Sequence, residues 1–218
     1  MDDAIETTTK DIEELEFGWT YDKESHEYRF LDNQVMSVTQ LIPKLLNKDI
    51  YNEVPDNILK KAAEYGTKIH SLIEKLEDGE ELSDLSIEEK HSVLQYKTIK
   101  DFETKEKELF VHYENIYCGR VDGIGENIIY DIKTTSKLYE DNISLQLSMY
   151  LLAYDKENYE KYKGYVLWLP KKGTGKKIEI PLYKMKDILI IVERIKVLDL
   201  EINEDIKNKI IWSEEYVK

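Results

Sequence analysis

Cys118 is the only cysteine in this 218-residue chain. That excludes an intramolecular disulfide, a four-cysteine zinc site and an iron–sulfur cluster. A lone thiol fits a reducing compartment, so a cytoplasmic setting is expected. No apolar run reaches the roughly 18 residues of a membrane-spanning helix, and no membrane partner is expected. The opening Met1-Asp2-Asp3-Ala4-Ile5-Glu6 is acidic and reads as neither a secretory signal nor a mitochondrial transit peptide. Internal repeats and low-complexity tracts are missing. Gly173-Thr174-Gly175-Lys176 lacks the first glycine of a phosphate-binding loop and follows a strand pattern, so it reads as a hairpin turn.

The chain is instead rich in charge, with 45 acids against 31 bases and a net −14. Such a balance argues against broad nucleic-acid binding through the net field. The charges are uneven, however. Eleven acids and three bases fall in the first 32 residues, while residues 164–186 hold six lysines and one glutamate. A basic patch can exist on an acidic protein. Residues 1–16 read as an acidic N-terminal arm, loose or a short helix, and 17–218 as a single domain.

Trp19, Tyr21, Tyr28 and Phe30 flank the polar Asp22-Lys23-Glu24-Ser25, which predicts a β-hairpin. Ser37 is placed to cap a helix through Leu46, with Pro43 as a complication. Apolar spacing predicts a helix over 57–77, where Gly66 marks either close packing or a break. Ser86-Ile87-Glu88-Glu89 opens a second helix running to about Lys105. Short β runs follow at 109–113, 117–123 and 128–134, then a helix over 142–156 capped by Asp141 or Asn142. A strand pair at 164–170 and 177–182 and a helix over about 185–208 complete the order. The fold class is α/β, with a mixed central β-sheet flanked by helices.

The chemistry centres on Tyr130-Asp131-Ile132-Lys133-Thr134. Side chains alternate along a strand, so Asp131 and Lys133 share one face and Tyr130 and Ile132 the other. Asp122 lies in the preceding strand, within Gly119-Arg120-Val121-Asp122-Gly123. Two carboxylates brought together repel unless protonated or bridged by a cation. A hard divalent cation such as Mg2+ favours those oxygens. Alone, an acid-x-Lys triplet arises roughly six times by chance in so charged a chain, and a surface ion-pair ladder on an edge strand is then the better explanation.

The ordered set is more specific. Gly66-Thr67-Lys68-Ile69-His70 lies upstream, Glu106 or Glu108 precedes the acid pair, and Gln146-Leu147-Ser148-Met149-Tyr150 follows. Over residues 19–155 this order resembles the RecB-like, phage-type exonuclease branch of the PD-(D/E)XK nucleases. It is also similar to mitochondrial genome maintenance exonucleases, through Tyr21 to Thr39 as well.

The resemblance implies a restriction-endonuclease-like core and a DNA exonuclease dependent on Mg2+ or Mn2+, acting in phage or bacterial recombination, repair or processing. DNA, single-stranded or with free ends, is the implied partner, and a recombination or single-strand-annealing protein the implied companion. Asp122, Asp131, the Ile132 carbonyl and His70 would hold the metal, and Lys133 would be the catalytic lysine. Glu108 is preferred to Glu106 as the first-strand acid. Gln146 and Tyr150 would contact DNA phosphate or hold the lysine, and Arg120 would pair with a phosphate or an active-site acid. Ser37 and Thr39 would touch DNA or serve as helix caps. Many relatives carry an iron–sulfur cluster, which this chain cannot.

Two alternatives stay open. A structure-specific or flap endonuclease would use the same site, and an acidic DNA mimic would act without catalysis. Clustering of Glu108, Asp122 and Asp131 further predicts raised carboxyl pKa values without metal, so that Asp122→Asn would leave the stability of the metal-free fold unchanged or higher.

Overall fold

The computed structural model describes residues 12–46 and 54–202, with side chains through residue 197. The first sheet is antiparallel, in the order β1 (Ile12–Glu14), β2 (Trp19–Asp22), β3 (Glu27–Phe30) and β4 (Asn33–Val35). The expected hairpin is present as β2 and β3, with Trp19 opposite Phe30. The expected loose arm or short helix is corrected at its end. Ile12–Glu14 pairs with β2, Ile12 opposite Asp22, while 1–11 lie outside the described residues.

Helix α1 (Val38–Leu46) starts at Ser37, whose hydroxyl accepts from the Gln40 N–H at 3.3 Å while the Gln40 side chain accepts from the Ser37 N–H at 2.9 Å. This reciprocal cap fixes the start of the helix, which runs on through Pro43. Helix α2 (Asp56–Glu77) passes unbroken through Gly66, where a Cβ would only touch Thr134. Helix α3 (Ile87–Ile99) has the full Ser86–Glu89 capping box, but ends before the predicted Lys105.

The second sheet has the order β5 (Glu106–Tyr113), β6 (Tyr117–Gly125), β7 (Ile128–Lys133), β8 (Lys163–Trp168) and β9 (Lys176–Ile180). Only β7 and β8 are parallel, so the sheet is mixed. Their crossover carries α4 (Glu140–Tyr154), which begins at Tyr139 with no side-chain cap, rather than at Asp141 or Asn142. Residues 169–175 form the β8–β9 turn, as expected. Helix α5 (Met185–Ile202) follows; the predicted extension to 208 lies outside the described residues.

Two helical layers sandwich this sheet. On one face, α1, α4 and α5 pack through Leu41, Leu147, Leu151 and Ile188 against Val121, Ile129 and Val166. On the other, α2 and α3 pack through Ile69, Ile73 and Tyr96 against Tyr130, Ile132 and Leu167. The small sheet joins through an aromatic cluster in which Trp19, Tyr28 and Val35 enclose Cys118. No helix among the described residues is long and apolar enough to cross a membrane.

Candidate metal centre

Strand alternation holds along β7. Ile129 faces α4, and Tyr130 and Ile132 face α2 and α3. Alternation fails in the neighbouring strands. Val121 and Ile124, three residues apart, both join the core on the α4 side, which a strand of period two does not allow. β6 therefore changes face between them, at Asp122. Directly opposite, Glu108 lies between the ladder pairs Lys107–Gly123 and Leu109–Val121, with a positive φ of 46°. A non-glycine residue there is strained, and such residues collect at functional sites. The last recorded β6–β7 pair is Gly123–Tyr130. Beyond it the Asp122 carboxylate replaces the ladder, accepting from the Ile132 N–H at 2.5 Å.

This paired kink turns two acids toward α2. His70 Nδ1 lies 3.4 Å from Asp122 and 3.9 Å from Glu108, and one ligand atom from each of the three lies within 4.8 Å of the others. His70 Nε2 is 3.1 Å from the Ile132 carbonyl oxygen. The ring thus donates from Nε2 and leaves Nδ1 toward the acids, the usual way a carbonyl orients a ligating histidine. That carbonyl, expected to face a metal, is engaged by His70 instead.

Asp131 is 3% exposed. Its Oδ1 accepts from Lys133 Nζ at 2.9 Å and from Gln146 Nε2 at 2.8 Å, and Lys133 also donates to Gln146 Oε1 at 3.3 Å. Its Oδ2 is buried with no hydrogen-bond partner. A buried carboxylate oxygen left open asks for a cation or a proton.

The electrostatics correct one expectation. Burial, opposed by Lys133 and aided by the Asp122 charge, pushes the Asp131 carboxyl up to about 6, as predicted. The Asp122 carboxyl moves the other way. Burial raises it, but the His70 charge and hydrogen bond, with Lys133 and the Ile132 amide, bring it below its usual value. Burial disfavours the His70 imidazolium, yet Asp122 and Glu108 hold its pKa well above the usual value.

The other candidates divide. Glu108 joins the cluster, whereas Glu106 accepts from the Tyr154 hydroxyl at 2.9 Å. Gln146 is buried and holds Lys133 and Asp131, rather than facing solvent for a phosphate. Tyr150 is buried too, over Gly119, where a Cβ would come within 2.5 Å of the ring. Arg120 pairs with Glu13 of β1 at 3.0 Å, so the expected partner is corrected to an acid of the small sheet. Ser37 is a buried cap, while Thr39 lines a cleft of about 180 Å³ beside Lys133 and Gln146, together with Pro43, Leu138, Tyr139 and Asn142. Sequence reading missed this cleft. Its one signal was an aromatic residue just before α4.

No protein-family model matches the chain, and no curated protein matches it. Among solved structures it is similar to the crystal structure of SSO0001, with 19% identity, 76% of each chain covered and a TM-score of 0.42. A likeness that distant carries no argument.

Proposed function

We propose that this chain is a divalent-metal-dependent deoxyribonuclease with a restriction-endonuclease-like core. His70, Glu108, Asp122 and Asp131 would form its metal centre, and Lys133 would act on the scissile phosphate. The observation that carries this reading is the meeting of three ligand-type side chains from α2, β5 and β6 beside a buried carboxylate with an open oxygen, next to a lysine held by two partners. Carboxylate oxygens with one imidazole fit Mg2+ or Mn2+. Such a cation, when bound, supplies Lewis acidity to the phosphoryl group and makes a water more acidic.

The protein's own groups supply position and charge. The Ile132 peptide orients both His70 and Asp122, because its carbonyl meets the ring and its N–H holds the carboxylate. Asp131 and Gln146 fix the Lys133 ammonium, which can then donate to negative charge developing on phosphate oxygens without reorganising. Action at free ends is the form that the resemblance implies.

The test incubates labelled single- and double-stranded DNA with the full chain in Mg2+, Mn2+, Ca2+ or EDTA. Cleavage with Mg2+ or Mn2+, loss of it in EDTA, and binding without turnover in Ca2+ are expected. Full activity in excess EDTA would remove the metal from the reading. Cleavage of no DNA under any condition would remove the nuclease.

A further inference from the structure

The cleft beside Lys133 lies between α1 and the start of α4. Ile42, Pro43, Leu138 and Ile143 make it apolar, and the half-buried Tyr139 adds an aromatic ring. The Lys137 ammonium stands 4.9 Å from the centre of that ring. Asn142 and Thr39 add polar groups, and Lys133 and Gln146 connect the cleft with the metal centre. An apolar cleft with a few placed polar groups suits a small organic ring. A free phosphate would gain nothing from the apolar residues, and a purely apolar ligand nothing from two lysines.

Size narrows the ligand further. A cavity of roughly 150 Å³ accepts benzene, so a cleft of about 180 Å³ has room for one flat ring system. We propose that this cleft binds one unpaired nucleobase next to the scissile phosphate, so that the enzyme selects single-stranded over duplex DNA. The proposal rests on the nuclease reading above. Tyr139 supplies the stacking face, Asn142 meets the base edge, and Lys137 meets the adjoining backbone. Base–aromatic stacking tolerates any sequence, because every base has a π-face.

The experiment measures anisotropy of a fluorescein-labelled single-stranded oligonucleotide and of a blunt duplex, both in Ca2+, and cleavage of each in Mg2+. Wild type should prefer the single strand by at least about tenfold. Tyr139→Ala should weaken single-strand binding by roughly five- to a hundredfold, the range of one lost base stack, and leave duplex binding unchanged. Tyr139→Phe keeps the ring and should match wild type. One abasic nucleotide, stepped along the strand, should reproduce the loss at a single position in wild type and add nothing in Tyr139→Ala.

If wild type cuts single strand and duplex equally and no abasic position matters, the cleft proposal fails and the nuclease reading stands. If wild type cuts no DNA, both fail. Should Tyr139→Ala not fold, the abasic series on wild type decides alone.

Discussion

At Asp122 one side chain has two tasks. It accepts the Ile132 amide where the β6–β7 ladder stops, and it faces the His70 ring, whose pKa it holds above the usual value. Asp122→Asn should therefore cost the metal-free fold about 1–3 kcal/mol, the range for a lost charge-assisted hydrogen bond, and abolish the rise in Tm on adding Mg2+ or Mn2+. Thermal unfolding in EDTA and with metal checks both outcomes. Unchanged stability in EDTA would leave the His70–Asp122 pair without energetic weight. Lys133→Ala should lower turnover at least about a hundredfold with little change in DNA affinity. Its stability effect should depend on pH. Asp131 titrates near 6 in the fold, above its unfolded value, so its ionised form weighs against folding as pH rises through 6. Without Lys133 that pKa climbs further, and the deficit of the variant in EDTA should be larger at pH 8 than at pH 5. An equal deficit at both would refute the coupling. Asp131, Lys133 and Asp122 were legible in the sequence because strand alternation and adjacency set them. The pairing of Arg120 with Glu13 was not, since it joins residues 107 positions apart through an unpredicted strand.

Among elements, the paired kink at Glu108 and Asp122 carries the site, and glycines set how closely the layers pack. Gly119 lets the Tyr150 ring lie on β6, which seats α4 and with it Gln146. Gly119→Ala forces a buried ring to move and should cost about 1–3 kcal/mol as overpacking. Turnover should fall more than DNA affinity, because Gln146 and hence Lys133 would shift. A variant with the Tm and kcat of wild type would contradict this. On the opposite layer, Glu77 at the end of α2 ties α3 to the approach to β5. It accepts from Tyr96 at 2.7 Å and Thr104 at 3.2 Å, and pairs with Lys100 at 2.8 Å. Burial raises its carboxyl, but those three donors bring it below the usual value. Its stabilisation is thus complete above the unfolded pKa and lost as pH falls through the folded one. Glu77→Gln should be less stable than wild type by about 1–3 kcal/mol at pH 7, with the gap closing below roughly pH 4. Denaturation at both pH values measures it. Helix limits such as Ser86–Glu89 were readable because caps are local. The paired kink was not, since only the opposition of Glu108 and Asp122 across two strands creates it.

For the molecule as a whole, a net charge of −14 means that any DNA affinity has to come from where the lysines lie. Parallel pairing decides that. Because β7 and β8 run together, with Lys133 beside Trp168, the segments that leave them at 134–139 and 169–175 emerge from the same sheet edge. They bring Lys137, Lys171 and Lys172 to the end of the sheet that bears Lys133, while Lys163 lies at the opposite end beside Ile128. A strand of DNA crossing this edge would meet local positive charge on an acidic protein. Each phosphate contact on a single strand contributes about −0.7 to the slope of log affinity against log salt. The double variant Lys171→Glu, Lys172→Glu should make that slope shallower by about 1.4 and raise KM, with kcat at saturating DNA unchanged because neither lysine reaches the metal centre. Lys161→Glu with Lys163→Glu removes the same charge from the far end and should change neither slope nor KM. If the two double variants behave alike, net charge alone governs binding, and this edge of the sheet is not the path of the strand.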